Sequence, residues 1–285
     1  MIQELGGNAS RPVGAQTIGR AISALRLVAA SDNHGAHLTD IVAAMGIPQP
    51  TVLRMPAVGV RKRVIEQEPG TRLYHLGPEI NSFGLVAATR PGLYKLAIPP
   101  LVRLAEISQD TVFLTVPSGT DGVCLHCEEG SFPIHTQVLS AGRRYPLGIG
   151  AGSLALLAAM SDREVERIIN ANAGVCGRNY PVYPPRTLLS LVERTRSLGY
   201  AINEGWVMSD SWAVGVAILN QQSQPVAALS IGATASRMAP ARQQELAALL
   251  KTESHALSEA MQHSQTAAPP RDPMRVATSL TFSYN

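Results

Sequence analysis

A mainly α-helical winged helix-turn-helix, joined by a helix to an α+β domain with an antiparallel sheet, is the fold class that this 285-residue sequence predicts. Three observations predict it. Apolar residues recur at helical spacing in three blocks before residue 62, and two strand-like runs around a turn follow them. Beyond residue 108 the pattern changes to strands, then helices, then strands again, with a long closing helix. The positive charge is also unevenly placed. Residues 1–76 hold eight Lys/Arg against five Asp/Glu, whereas the rest of the chain balances at sixteen of each. The whole net charge of +3 therefore falls in the first quarter, as suits a segment that meets a polyanion.

Residues 1–15 carry Gly, Asn and Pro and read as a flexible arm. From Thr17, the positions Ile18, Ile22, Leu25 and Ala29 share one helical face, and SDNHG ends that helix near Ser31. LTDIVAAMG is a second, short helix that Thr39 or Asp40 caps and Gly46 ends. A third helix opens near Pro48–Thr51. VIEQ and RLYHL are short strands on either side of Glu68-Pro69-Gly70-Thr71, a turn signal. These elements place a DNA-binding unit over 16–76.

A connector helix spans 77–90. Domain 91–262 begins with a helix to Ile107, followed by TVFLTVPSG, DGVCLHCEEG and IHTQVLSAG as three strands. Helices are expected over 150–160, 162–173 and 186–198. AINEG, WAVGVAILN and QPVAALSIGA are strands, and a helix over 240–262 closes the domain. The tail, 263–285, lacks periodicity and is expected to be disordered.

Composition excludes several classes. Apolar residues make up 45% and charged residues 16%, which suits a soluble chain with a substantial core. No apolar run reaches the roughly 18 residues of a membrane span, and the N-terminus lacks the pattern of a secretory signal. The expected location is the cytoplasm. Three cysteines, Cys124, Cys127 and Cys176, form no disulfide framework. Cys124-Leu125-His126-Cys127 is too short of ligands for zinc. Alternation along a strand also sends Cys124 and His126 to one side and Leu125 and Cys127 to the other. No nucleophile elbow, HExxH, Walker loop or dinucleotide fingerprint occurs, so no enzyme, metal or cofactor is expected.

The order of these elements, and the residues that mark them, resemble the IclR family of bacterial transcription regulators. The markers are TIGRAISALRLV, LTDIVAAMGIPQPTVLR and YHLGPEI in the first unit. In the second they are DGVCL, EEGSFPI, GRRYPLGIGAGSLALLA, RSLGYAINEG, AVGVAIL and VAALSIGATASRM. The resemblance runs from about Gln16 to Met261. It implies a GAF-like effector domain, operator binding as a homodimer or dimer of dimers, and a response to small organic acids.

Two residue sets follow. Gln49, Thr51, Arg54, Arg61, Lys62 and Arg72 face DNA. Amide, hydroxyl and guanidinium groups at the start of a recognition helix pair with base edges, and Arg61, Lys62 and Arg63 suit phosphates. In the second domain GIGAG (148–152) precedes an apolar helix, so its amides suit a carboxylate. The resemblance implies that Gly150 and Ala151 make that contact through the backbone, with Asn203, Glu204 and Ser230 at the family's pocket acid and serine. Ile134 and Ala213 line the pocket. Asn203-Glu204 stands where two acids are usual, which makes the pocket floor less negative. Trp206 and Trp212 read equally well as the wall of a pocket for an aromatic acid or as a plug at a dimer interface.

Pro56 and Gly59 depart from the family pattern, which has leucine-like residues there and a glycine at the position of Arg63. Pro56 removes a helical hydrogen bond at a cost of ~3 kcal/mol, and Gly59 adds roughly 1 kcal/mol. The sequence thus predicts a kinked or shortened third helix, with a core position left empty at Gly59. It also predicts weaker operator affinity than in a Pro56→Leu, Gly59→Leu version. The alternative function is an effector-binding or interaction protein with an impaired DNA-binding helix.

Overall fold

The computed structural model describes residues 13–31, 34–89, 92–134 and 139–266, with the backbone alone at 13–15, 49–51, 53, 89 and 264–266. Most of the expected arm and tail lie outside these residues. The chain divides into two compact units, Met1–Arg90 and Pro91–Asn285.

The first unit contains α1 (Val13–Ala30), α2 (Leu38–Met45), α3 (Gln49–Arg61), the antiparallel pair β1 (Ile65–Gln67) and β2 (Tyr74–Leu76), and α4 (Pro78–Thr89). Helix α1 starts four residues earlier than its apolar pattern suggests. Gly46 ends α2 in the left-handed conformation (φ 61°), and its N–H reaches Val42 O at 3.2 Å. The core is small: Ala24, Val28, Ile41, Val52, Ile65 and Tyr74 interlock there. A two-way backbone exchange between Ala36 and Tyr74, 2.9 Å each way, ties the α1–α2 connection to β2.

The expected shortening of the third helix does not occur, because α3 runs unbroken from Gln49 to Arg61 with Pro56 inside it. Val52, Pro56 and Gly59 are buried and recur at helical spacing, so both unusual residues sit on the core face. Nor is the position at Gly59 empty. A Cβ there would stand 2.9 Å from Ile65 Cδ1 and 3.2 Å from Ile65 Cβ, so the side chain of β1 already fills the space.

The helix ends in a Schellman motif. Val64 N–H bonds to Gly59 O and Arg63 N–H to Val60 O, both at 3.0 Å. Arg63 (φ 57°) holds the left-handed position that glycine usually takes.

The second unit is a six-stranded antiparallel sheet with helices on both faces. In chain order it contains α5 (Leu93–Ser108), β3 (Thr111–Ser118), β4 (Asp121–Glu128), β5 (Arg144–Pro146), α6 (Ala151–Ala158), α7 (Asp162–Asn179), α8 (Pro185–Leu198), β6 (Ala201–Glu204), β7 (Ser211–Leu219), β8 (Pro225–Thr234) and α9 (Pro240–Thr266). Across the sheet the order is β5-β4-β3-β8-β7-β6. Val112, Leu114, Val214, Val216, Leu229 and Ile231 face α5 and α9. Their odd–even neighbours face α6, α7 and α8. Burial on both faces explains why TVFLTV and VAALSIGA read as continuous apolar runs.

Two expectations need correction. The strand expected across IHTQVLSAG is absent from residues 139–142. The third pairing is made instead by β5, which adds to β4 through Asp121↔Pro146 and Val123↔Arg144. Residues 135–138 of that run lie outside the described residues. Helix α7 also continues past Ala173, through Gly174 and Gly177. Val165, Ile168, Ile169, Asn172 and Cys176 form one buried stripe, and that packing outweighs two weak helix formers.

Helix propensity alone makes Gly59→Ala stabilising by about 1 kcal/mol, but overpacking against Ile65 outweighs that gain. Gly59→Ala therefore lowers the urea or thermal unfolding midpoint of the first unit, and Ile65→Val in the same chain restores part of the loss.

Candidate functional site

The site is set by cross-strand register. Asn203 of β6 pairs with Ala213 of β7, which pairs with Gly232 of β8. Two residues along, Gly215 of β7 pairs with Ser230 of β8, and Ser230 with Phe113 of β3. Because strand side chains alternate, all these residues face the same side, under α6. A Cβ on Gly215 would stand 2.6 Å from Ala151 O. One on Gly152 would stand 3.0 Å from Thr115 Oγ1 and 3.2 Å from Ser230 Oγ. The absence of both side chains lets the first turn of α6 rest directly on the sheet.

The cavity beneath that turn has a volume of about 30 Å³, room for one or two water molecules. Gly150, Ala151, Asn203, Ala213 and Ser230, all expected from the sequence, line it together. Phe113, Leu139, Tyr145, Val207, Ser211 and Gly232 line it too and were not anticipated. Ser211 and Gly232 were reachable from the sequence, each lying two residues along a strand from a residue already chosen. Leu139 and Val207 lie on connections and left no such signal.

Helix α6 opens at Gly150 (φ 80°), and its first amides lack acceptors within the helix. The N-terminal end of its dipole thus faces a cavity whose described walls carry no Asp, Glu, Lys, Arg or His. Asn203 is 7% exposed, and its Oδ1 accepts from the Trp206 backbone N–H at 3.2 Å and from the Tyr183 hydroxyl at 3.4 Å. Burial raises the pKa of that hydroxyl and keeps it a donor.

Two predicted residues do not join the site. Glu204 follows Asn203 on the strand and so turns to the other side. There it forms a two-pronged ion pair with Arg194, at 2.8 and 2.9 Å. The Arg194 guanidinium holds its carboxyl below the usual range. Ile134 is 61% exposed and lies outside the cavity.

The two tryptophans do not act as a pair. Trp206 tilts against Tyr183 at 5.7 Å, beyond the wall. Trp212 joins the core on the α5–α9 face, since its neighbours Ser211 and Ala213 take the cavity side.

In the first unit, Arg54, Ala57, Val58 and Arg61 form the exposed face of α3, opposite Val52, Pro56 and Gly59. Lys62 is exposed at its end, and Arg72 is exposed in the β1–β2 connection with φ 60°. Gln49 and Thr51 lie in the first turn of α3, but their side chains fall outside the described residues.

Residues 86–259 match the family model described as the bacterial transcriptional regulator IclR C-terminal domain. Among curated relatives, the HTH-type transcriptional regulator BhcR of Paracoccus denitrificans is 24% identical over 229 residues, 80% of this chain and 81% of that protein. The HTH-type transcriptional repressor AllR of Salmonella typhi is 25% identical over 231 residues, 79% of this chain and 82% of its own. Among solved structures, an IclR transcriptional regulator from Alicyclobacillus acidocaldarius superposes with a TM-score of 0.74 at 22% identity, covering 86% of this chain and 98% of that one. An IclR family regulator from Brucella abortus gives 0.73 at 22%, covering 90% and 97%. Among the described residues no helix is long and apolar enough to cross a membrane.

The CLHC run of β4 has its own chemistry. A bulge puts Cys124 opposite Thr115 and His126 opposite Leu114. His126 is engaged from both sides, by Glu128 at 3.0 Å and by the Tyr94 hydroxyl at 3.5 Å. Among the described residues no group of three or more His, Cys, Asp or Glu is arranged to hold a metal ion. Burial, reinforced by Cys127, pushes the Cys124 thiol up to about 12. Burial, with Glu129 and Glu128, pushes Cys127 to about 11. Since the thiolate is the nucleophile, iodoacetamide at mildly alkaline pH alkylates both cysteines at least about a hundredfold more slowly than a free thiol. Peptide mass spectrometry checks this, with all three cysteines labelled rapidly after denaturation.

Proposed function

The chain belongs to the IclR family of bacterial transcriptional regulators, and from that premise we propose that it is a ligand-responsive, DNA-binding regulator of a catabolic operon. In this reading residues 16–76 are a winged helix-turn-helix, α3 is the recognition helix, and the β1–β2 hairpin is the wing. The cavity under α6 receives a small organic acid. The family premise makes the working form a cytoplasmic homodimer or dimer of dimers on a palindromic operator. The acid acts by shifting the balance between arrangements of that assembly.

The observation that carries the reading is the division of α3 into two faces. Arg54 and Arg61 are two turns apart on the exposed face, while Pro56 and Gly59 are spent on the core. The residues that made the helix look impaired therefore lie away from the surface a groove would meet. For the effector, a cavity at a helix N-terminus whose described walls carry no charged side chain, and which is too small for an aromatic ring as it stands, favours a compact acid over an aromatic one. Pro56 supports a second reading, a ligand-binding or interaction protein whose α3 no longer holds DNA tightly.

Binding to the chain's own upstream DNA separates the two. A footprint over a palindrome is expected; no operator binding at low salt, with or without candidate acids, leaves the second reading. Arg54→Ala weakens operator binding by about 1–3 kcal/mol and relaxes preference at one base position. Lys62→Ala weakens all sequences alike and lowers the salt slope by about one. Electrophoretic shift titrations across salt concentrations check both.

A further inference from the structure

Strand β6 borders two recesses because its residues alternate. Asn203 lines the cavity under α6, whereas Ile202 and Glu204, with Tyr200 just before them, take the α5–α9 face. There, beside Trp212 of β7 and the start of α9, they line a groove of about 480 Å³, a size that suits a small organic molecule. We propose that this groove is a second ligand site, and that its ligand is an uncharged aromatic compound carrying one hydrogen-bond donor. The sheet separates it from the α6 cavity, so it stands whatever that cavity holds.

The apolar part of the groove is built from fixed side chains. Ile202 and Met238 are buried, at 7% and 2% exposure. Tyr200 and Trp212 are half-buried, each packed against the α5–α9 core and each bordering the groove. Lys251 Nζ stands 5.5 Å from the centre of the Tyr200 ring and holds it from one side. Two aromatic rings in one groove favour a flat ring as the third.

Gln243, in the first turn of α9, supplies the polar contact. It is 8% exposed, and one amide atom lies 2.8 Å from Met238 O, which only accepts. That atom is therefore Nε2, and Oε1 is the atom left over. No described group donates to Oε1. The buried side-chain atoms without a partner among the described residues are Thr115 Oγ1 and Arg242 Nε. Oε1 is thus not sealed in but reachable, and Gln243 is a lining residue of the groove. An acceptor held in place beside an apolar surface selects a ligand that brings an O–H or N–H.

Charge completes the class. Arg194 and Glu204 are the charged side chains among the lining residues, and they are spent on each other through bonds of 2.8 and 2.9 Å. A charged ligand would either break that pair or enter without a partner. A phenol- or indole-like compound meets all three conditions.

The test titrates 2-naphthol, 2-methoxynaphthalene and 2-naphthoate onto the purified full chain at about pH 7 by calorimetry. The three share a ring system and differ in carrying a donor, no donor, or a charge. Proton–nitrogen correlation spectra of the two tryptophan indoles, assigned with the Trp206→Phe variant, report where the probe sits. 2-Naphthol binds with a Kd of at most about 1 mM and shifts the Trp212 signal. It binds at least about threefold more tightly than 2-methoxynaphthalene and at least about tenfold more tightly than 2-naphthoate.

Gln243→Met keeps the length of the side chain and removes the acceptor. It abolishes the preference for 2-naphthol over 2-methoxynaphthalene, and continued binding of the methoxy compound shows that the groove is intact. A variant that binds neither has lost the groove along with the Met238 bond, and the wild-type preferences and the Trp212 shift then decide alone. No binding of 2-naphthol, binding that leaves the Trp212 signal unmoved, or equal affinity for the three probes overturns the site. A preference for 2-naphthol that survives in Gln243→Met overturns the role of Gln243.

Discussion

The second unit depends on how closely α6 approaches the sheet. Helices pack on sheets at a distance set by the side chains between them, and here two positions, Gly152 and Gly215, carry none. The carbonyl oxygen of Ala151 consequently lies 2.6 Å from where a β-carbon on Gly215 of β7 would stand, closer than a side chain allows. This contact brings the first turn of α6 within reach of Ser230 and Asn203. A side chain at either glycine would lift the helix and open the floor of the site, so the candidate binding geometry and the packing of the layer arise from one constraint.

A second constraint follows from the strand period. In β6, adjacent residues serve opposite ends of the chemistry. Asn203 is buried, neutral and turned toward the cavity, while Glu204 is partly exposed and locked to Arg194 outside it. The same alternation sends Ser211 and Ala213 to the cavity and Trp212 to the α5–α9 core. The described walls of the cavity are therefore neutral even though acidic and basic side chains lie close by in the chain. In such a wall, hydrogen-bond direction and the α6 dipole outweigh ion pairing in setting which ligands fit.

In the first unit, α3 shows why a residue's face matters more than its helix propensity. Pro56 removes one backbone bond and Gly59 removes a side chain, and by local rules each is a cost. Both lie on the buried face, where Ile65 occupies the volume that a larger residue at 59 would need. The left-handed Arg63 is the other departure from the usual pattern, and the Schellman bonds of Val64 and Arg63 hold it in place. The exposed row of Arg54 and Arg61 is left continuous.

The sequence by itself determined the order and type of nearly every element, because helical and strand periods, the Gly46 stop and the 68–71 turn are local signals. It also determined the uneven charge, and its resemblance to the family pointed to five of the residues that line the cavity under α6. What it could not determine was the content of the space between elements. The register β6-β7-β8-β3 decided that Phe113, Ser211 and Gly232 share the cavity with Asn203 and Ser230. Strand alternation excluded Glu204. Packing extended α7 through two glycines and put Ile65 against Gly59. The register, the buried stripe of α7 and the Ile65 contact depend on packing between separate elements. The exclusion of Glu204 follows from the strand period once β6 is placed. Local pattern sets which face a side chain takes, but only the tertiary structure decides what that face meets.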